Sequence, residues 1–226
     1  MLSFNIDGNA LSILLRGGEI YKIAVGQKLF AVGHGSSTYK MSHGSFKIKE
    51  KLLAQTEMIV KSFAVSGGGA QIGLSEGQCR IEIIGGNKLY FTFDIHGDYN
   101  RMSFDLPATA DEYVYGCGEN FSEFNLRGKC ARVWVAEHIN ALQIAKKFAK
   151  QVVGIKNTTK KQRFSNYETY YAQPTFLSSR KYFFHSLTTA QSEFDFKNQS
   201  RHKIKIWEIV PFYIGFGDDF EQVLSN

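Results

Sequence analysis

Residues 113–138, with the sequence YVYGCGENFSEFNLRGKCARVWVAEH, carry the densest set of chemically capable side chains in the protein. Carboxylates, an Arg-Gly-Lys step, aromatic rings and the pair Glu137-His138 fall within one short span. Such a set could bind hydroxyl groups or anions through charge-assisted hydrogen bonds. The GCGENF stretch is not a dinucleotide-binding motif, because Phe121 stands where a third glycine is needed and no β-α-β unit surrounds it. Considered by itself, the segment is a polar and aromatic loop at the end of a sheet, where binding residues tend to collect.

The elements that must position this loop are predicted to be β-strands. Apolar stretches meet at glycine-rich turns at residues 17–18, 67–69 and 85–87, and glycine supplies the positive φ that a tight hairpin requires. The alternation KIKI at residues 203–206 indicates a sheet with one solvated face. Regularly spaced strands with glycine-rich turns are typical of a β-sandwich.

Two stretches depart from the strand pattern. Residues 139–154 place apolar side chains at helical spacing and end at a glycine, which predicts a helix. At the terminus, Asp218 or Asp219 is a candidate N-cap for a second helix, and the sequence ends after one or two of its turns. We therefore expect one domain over residues 1–217, and over residues 218–226 the start of a linker helix that continues in a longer protein.

Composition and charge disfavour several classes of protein. The hydrophobic fraction of 43% is ample for a folded core, which argues against a disordered segment. Part of the net charge of +6 lies in residues 145–163, but such a run is more typical of a solvated face than of a nucleic-acid site. No apolar run approaches the ~18 residues of a membrane span, and the start lacks the features of a signal peptide. We expect neither nucleic acid nor a membrane as a partner.

Cysteine usage points to a reducing compartment. The three cysteines make an odd count and lack the spacing of a metal site. An oxidising compartment would tend to leave one thiol without a partner, so we expect a cytoplasmic protein. No metal and no cofactor are predicted.

Two sequence runs together carry a resemblance to a known family. YGCGENFSEFNLRGK at residues 115–129, followed by YYAQPTFLSSRKYFFH at residues 170–185, resembles the N-terminal domain of glycoside hydrolase family 31. This family contains α-glucosidases and α-xylosidases, and the match is closest to its sulfoquinovosidase-like branch. The resemblance extends over about residues 40–225, and its motifs are specific as a set rather than singly.

The resemblance implies a fold and a division of labour. The fold is an all-β, galactose-mutarotase-like supersandwich of antiparallel sheets, which agrees with the strand pattern. A short C-terminal helix would lead to a (β/α)8 barrel that this sequence does not contain, and that barrel would supply the two catalytic aspartates of a retaining α-glycosidase. The implied function is therefore that of a substrate-rim domain, inactive by itself, whose partners are a carbohydrate substrate and its own barrel.

The resemblance also implies candidate substrate-binding residues, none of them catalytic. In the family, a loop of the N-terminal sandwich reaches over the barrel mouth, and Glu137 matches its acidic residue. A carboxylate there could accept hydrogen bonds from sugar hydroxyls. His138 follows as a further candidate, and Arg127 and Gln173 match the LRGK and QPTF motifs.

Each candidate also has a purely structural interpretation. Arg127 could pair with Glu119 or Glu123, and Gln173 could satisfy backbone groups near Pro174. The acidic residue and the histidine of the loop could simply be solvated. The residues alone do not decide between these alternatives.

One departure from the family leaves the substrate open. After Glu137, a basic and helix-prone stretch, HINALQIAKKFAK, stands where the branch has a glycine-rich stretch with arginine. Sulfoquinovosides, α-glucosides and α-xylosides all remain candidates. A rival function is a free-standing carbohydrate-binding or mutarotase-like sandwich, which would need a general acid and base drawn from His96, His185 and Glu193.

A sandwich that rests on a barrel should present an apolar patch to it. An exposed patch larger than the ~300–600 Å² of a typical monomer would mark that surface and could support a homo-oligomer. The candidate contributors are Phe121, Phe124, Trp134, Phe176, Phe220, Val223 and Leu224.

Overall fold

The computed structural model describes residues 1–42, 45–119, 124–135 and 171–225. The first strands are β1 (Leu2–Asp7), β2 (Ala10–Leu15), β3 (Gly18–Ala24), β4 (Lys28–Ser42), β5 (Ser45–Ser66), β6 (Gly69–Leu74), β7 (Gly77–Ile84) and β8 (Lys88–Asp94). The later elements are β9 (Arg101–Pro107), β10 (Val114–Gly118), β11 (Cys130–Val133), β12 (Ala172–Ser178), β13 (Tyr182–Ser186), β14 (Ser192–Asp195), β15 (Arg201–Ile206), β16 (Phe212–Phe216) and the helix α1 (Phe220–Ser225).

The strands form one large antiparallel sheet and a small three-stranded one. The small sheet has the order β1-β2-β3, and the large sheet runs β10-β12-β13-β16-β8-β7-β6-β5-β4-β9-β15-β14-β11. Strand β5 pairs with β4 along its first part and with β6 along its last part, so it joins two halves. We call the half β4-β9-β15-β14-β11 sheet I, and the half β6-β7-β8-β16-β13-β12-β10 sheet II. The expected antiparallel supersandwich is confirmed, with both layers drawn from one continuous sheet.

A layer of phenylalanine rings holds sheet I against sheet II. Phe104 of β9 stacks on Phe212 of β16 with ring centroids 4.7 Å apart. Phe176 of β12 meets Phe194 of β14 edge to face at 5.8 Å. Phe184 of β13 contacts rings of both sheets and is fully buried. Burying such a ring contributes about 1.5–3 kcal/mol, and each aromatic pair adds about 0.5–1.5 kcal/mol.

The predicted hairpin turns are confirmed at two of three positions. Gly67 and Gly68 have φ of 56° and 80° between β5 and β6, and Gly85 and Gly86 turn the chain between β7 and β8. The first turn was predicted at residues 17–18, but it lies one residue earlier. There Arg16 and Gly17 have φ of 53° and 82°, and residue 18 already pairs with Leu15.

The C-terminal helix begins as the sequence predicts. Asp219 is its N-cap, since its Oδ1 accepts the Gln222 N–H at 2.8 Å. Val223 is buried against Gly217, which has no room for a side chain on that side. The helix predicted over residues 139–154 falls outside the described residues. Within the described parts of the chain, no helix is long and apolar enough to cross a membrane.

The phenylalanine layer predicts a large stability loss on truncation. Phe184→Ala should lower the free energy of unfolding by about 3–5 kcal/mol, because it removes a fully buried ring and leaves a cavity. Phe124→Ala is the matched control: this ring is 85% exposed, so its loss should change stability by less than about 0.5 kcal/mol. Urea denaturation of both variants measures the difference. Similar losses in the two variants would contradict this account of the core.

Candidate functional site: the loop end of the sandwich

Strand β10 ends in a β-bulge that fixes where the polar loop begins. Gly116, Cys117 and Gly118 have positive φ values of 114°, 66° and 99°, and the register with β12 shifts between the two glycines. A Cβ on Gly118 would collide with the carbonyl oxygen of Tyr171, and one on Gly116 would lie 2.8 Å from that of Thr175. The two glycines of GCG therefore serve close backbone approach rather than ligand binding.

Tyr171, where the described chain resumes before β12, lies beside the bulge. Immediately after it, the Glu119 N–H donates to the Tyr171 carbonyl at 3.0 Å. The described chain ends at residue 135, just after β11, and resumes at Tyr171, beside β10 and at the start of β12. Glu137 and His138 lie outside the described residues, so their roles in substrate binding remain predictions.

Arg127 ties the loop to two other segments. Its Nη2 donates to the carbonyl oxygens of Thr109 at 2.6 Å and Gln199 at 3.0 Å, and its Nη1 donates to that of Phe196 at 3.4 Å. These described contacts are to backbone carbonyls and not to Glu119. Glu123, the other partner that the sequence suggested, lies outside the described residues. Substrate binding by Arg127 remains a prediction.

Arg127 also begins a polar chain that runs into the interior. Its Nη1 lies 3.4 Å from Nδ1 of His202, and Nε2 of His202 lies 3.1 Å from Oε1 of Glu112. A guanidinium can only donate, so His202 Nδ1 acts as acceptor and a neutral imidazole carries its proton on Nε2, facing Glu112. That N–H is not aligned as a hydrogen bond, so the 3.1 Å approach is an electrostatic contact. Both side chains are completely buried.

Glu112 is a buried carboxylate surrounded by donors. Its Oε1 accepts hydrogen bonds from Ser178 Oγ at 2.5 Å and Tyr182 OH at 2.8 Å, and its Oε2 accepts the Thr109 N–H at 3.1 Å. Burial by itself raises the pKa of Glu112, but its contacts with His202, Ser178 and Tyr182 outweigh burial and lower the pKa to about 2. The carboxylate is therefore ionised, and both of its oxygens accept hydrogen bonds, which indicates a structural role. No sequence motif signalled either Glu112 or His202.

Gln173 has different surroundings, on the outer face of sheet II. Its exposed side chain lines a groove of about 540 Å³ together with Thr175, His185, Tyr213 and Leu224. Thr175 Oγ1 lies 2.7 Å from His185 Nδ1, and burial lowers the pKa of His185. The groove combines polar and aromatic side chains and is open to a ligand or to another domain.

The residues proposed for a mutarotase reaction are not brought together. His185 lies in the groove of sheet II, whereas Glu193 of β14 pairs with Lys205 of β15 at 2.7 Å on sheet I. His96 is exposed in the segment after β8. The described residues therefore do not assemble the acid and base that this rival function needs.

The expected apolar patch is only partly present. Phe176 and Val223 were predicted to be exposed, and this is wrong: Phe176 is buried in the core between the sheets, and Val223 is buried against Gly217. Trp134 is half-buried against Tyr39. The contributors that are exposed are Phe124, Phe220 and Leu224, and Phe121 lies outside the described residues.

Comparison with known proteins assigns this fold. No protein-family model matches the sequence. The protein is 32% identical over 185 residues to a sulfoquinovosidase of Agrobacterium fabrum (strain C58) and 30% identical over 173 residues to a sulfoquinovosidase of Escherichia coli (strain K12), which covers 80% and 73% of it. A solved family 31 sulfoquinovosidase from E. rectale, in complex with the aza-sugar inhibitor IFGSQ, matches 98% of it with a TM-score of 0.80 and 26% identity. The chain is a family 31 glycoside hydrolase-related domain.

The family 31 relatives are much longer than this chain. It spans 27% and 24% of the length of the two curated sulfoquinovosidases and 33% of the solved one, whose N-terminal part it matches. The LRGK and QPTF runs that carried the resemblance both lie among the described residues. The bulge and the Arg127–His202–Glu112 chain anchor the first, and β12 carries the second.

The low pKa of Glu112 predicts acid sensitivity. Its folded pKa of about 2 is below the ordinary unfolded value, so its contribution to stability is present above about pH 4.5 and is lost as the pH falls towards 2. Glu112→Gln should therefore cost up to about 3 kcal/mol at pH 7, and the gap to wild type should shrink below pH 4.5. Glu82→Gln on β7 is the control, because this partly exposed carboxylate pairs with the exposed Arg80, and surface ion pairs contribute little to stability. Urea unfolding at pH 7, 5 and 3 measures the gap, and a gap that is constant with pH would contradict this role.

Proposed function

We propose that this domain is the N-terminal, substrate-rim part of a retaining α-glycosidase and that it is inactive by itself. The observation that carries the proposal is the match to the family 31 sulfoquinovosidase, which covers 98% of this chain but only 33% of that enzyme. The family resemblance implies that both catalytic carboxylates lie on a barrel. A chain that matches only the N-terminal third of its relative is consistent with this arrangement.

Sulfoquinovosides are the substrates that we propose among the α-glycosides. Both sequence relatives are sulfoquinovosidases, and they align with most of this chain. A plain α-glucoside remains the second candidate, because the basic stretch after Glu137 departs from the branch and the barrel would supply most contacts to the sugar.

The contribution of this domain would be to bind and orient the sugar. A retaining mechanism places two carboxyl groups about 5–5.5 Å apart, and the sugar must be held between them. In our proposal, Glu137 accepts hydrogen bonds from sugar hydroxyls at the rim, and the described anchors keep the base of its loop fixed. A rigid base restricts the loop, and such positioning lowers the entropic cost of reaching the reactive geometry.

We further propose that the groove of sheet II faces the barrel. Gln173 would then lie at the junction between the two parts, close to the point where the α1 helix leads away. Leu187 and Leu224 support this orientation, since they are 46% and 71% exposed in or beside the groove. Apolar exposure at such a position is expected of a surface that another domain covers.

Assay of the isolated chain tests the proposal directly. The 226-residue chain should not hydrolyse nitrophenyl α-sulfoquinovoside or nitrophenyl α-glucoside, because in our proposal the barrel supplies both catalytic carboxylates. The Agrobacterium relative serves as positive control for the assay. Polarimetry on α-glucose should likewise show no accelerated mutarotation. Turnover in the first assay would disprove the inactive-domain proposal, and activity in the second would establish the rival function.

Glu137→Gln tests the rim in a protein that joins this domain to a barrel. Loss of a charged hydrogen-bond acceptor should cost about 1–3 kcal/mol, which corresponds to roughly 5–150-fold lower kcat/KM. The unfolding midpoint should not change. Glu82→Gln is the matched control and should leave kcat/KM unaltered. Equal kinetics for wild type and the Glu137 variant would remove this residue from the substrate site.

A further inference from the structure

A two-stranded ribbon crosses the outer face of sheet I. Beyond Gly33, which is the last β4 residue paired with β9, the described pairing of β4 is with β5 alone. We call residues 34–42 and 45–54 the ribbon. A β-bulge at His34 and Gly35 bends it, and Asn100 secures the bend by exchanging two hydrogen bonds, of 2.9 and 3.0 Å, with the backbone of Gly35. A bulge re-aims a strand in this way.

The far end of the ribbon rests on the opposite edge of sheet I. Tyr39 stacks on Trp134 with ring centroids 5.4 Å apart, and Phe46 meets the same ring edge-on at 5.7 Å. Trp134 directly follows β11, the last strand in the order β4-β9-β15-β14-β11. The ribbon therefore passes over the three strands between β4 and β11.

An ion pair supports the ribbon near its base. Arg101 of β9 donates to Glu50 of the ribbon at 2.8 Å and to Ser37 at 2.8 Å. The arginine side chain is only 13% exposed, and its guanidinium lies 6.0 Å from the ring of Trp207. The Arg101 guanidinium is held in place by the Glu50 carboxylate and the Trp207 ring. It therefore fixes the distance between the ribbon and the sheet.

The space between ribbon and sheet is a half-open cavity of about 360 Å³. Its floor carries small residues, Ala31, Gly33 and Ser103, and the ribbon supplies Ile48 and Leu52 above. Small-molecule sites in proteins typically occupy about 300–1,000 Å³, so the cavity can hold a ligand of monosaccharide size.

The charges around the cavity do not balance. Two of its four basic side chains are paired, Arg101 with Glu50 and Lys205 with Glu193. The other two are Arg132 and Lys203, and among the described residues neither has an acidic partner within ion-pair distance. The lining thus carries an excess of two positive charges, which favours an anion.

A buried acceptor adds a requirement for a hydrogen-bond donor. Gln191 lines the cavity and is only 3% exposed. No described group donates to its Oε1. A buried acceptor left without a donor is destabilising, so a ligand hydroxyl that donates to this oxygen would strengthen binding. Trp207, next to Gln191 across the strand pair, offers an aromatic face for a sugar ring.

We propose that the cavity under the ribbon binds a small hydroxyl-bearing anion of the sugar-acid class. The anionic group pairs with Arg132 and Lys203, a hydroxyl donates to Gln191 Oε1, and the carbon ring lies against Trp207. This site uses none of the rim residues Glu137 and Gln173, so it goes beyond the proposed function. Its tests measure binding and not hydrolysis, so each can fail independently.

Titration of the whole chain with glucuronate tests the site. Binding should appear in calorimetry and should change the fluorescence of Trp207. Glucose, which lacks the charge, and sulfate, which lacks the ring, should each bind at least about tenfold more weakly, a difference of about 1.4 kcal/mol. No binding of glucuronate would overturn the proposal. Sulfate binding as tight as glucuronate would also overturn it, since the site would then be a general anion site.

Three variants separate the contacts. Arg132→Gln should weaken glucuronate binding about tenfold and leave glucose binding unchanged, because it removes only the charge. Gln191→Met should weaken both sugars, yet leave thermal stability equal or higher, since its Oε1 has no donor in the described protein. Arg80→Gln, an exposed position on β7, is the charge-matched control and should change neither. Equal glucuronate affinity in Arg132→Gln and Arg80→Gln would exclude this cavity as the site.

Discussion

One buried carboxylate holds together the end of the sandwich at which β10 begins and β12 ends. Glu112 receives hydrogen bonds from residues at the β12 and β13 ends of sheet II and faces His202 of β15 in sheet I. Burial of a charge is costly unless donors compensate it, and here each carboxylate oxygen has at least one. Arg127 extends the same network to the loop. The relative position of the two layers at this end therefore depends on satisfied polar contacts.

The middle of the sandwich relies on a different interaction. The hydrophobic contacts of the phenylalanine layer have no directional preference and contribute most to overall stability. The polar network at the end of the sandwich, in contrast, fixes the relative position of the two sheets there. This division fits the proposed role of the domain. Its interior has to be stable, and its rim has to hold the loop that contains Glu137 at a defined position. The β-bulge of β10 also fixes geometry, but through the backbone. Its glycines allow the Tyr171 carbonyl to approach so closely that a side chain at Gly118 would collide with it.

The sequence predicted what depends on local pattern. Glycine spacing located two hairpin turns, strand alternation indicated an antiparallel sandwich, and Asp219 was one of two candidate caps. The first turn was displaced by one residue, because Arg16 adopts the positive φ expected of glycine. Motif resemblance identified the family. These successes share a short range, within which propensity and turn chemistry decide the outcome.

The interactions that depend on long-range pairing could not be predicted. Glu112 meets partners 66 to 90 positions away, and nothing local marks it as buried. Nothing in the local sequence indicates that residues 45–54 pair with β4 alone and cross sheet I. Phe176 and Val223 illustrate the same point: an apolar residue is visible in the sequence, but the face it occupies is set by tertiary packing.

The bulge has a further consequence for the reactivity of the cysteine thiols. Its central residue, Cys117, is buried, and burial raises the pKa of its thiol, as it does for Cys79. The pKa of the half-buried Cys130 thiol is raised to about 11. Because the thiolate is the reactive form, the raised pKa values should slow the reaction of all three thiols with alkylating reagents and peroxide while the domain is folded. Reactivity of the three cysteines towards a thiol probe would then measure the fraction of the domain that has unfolded.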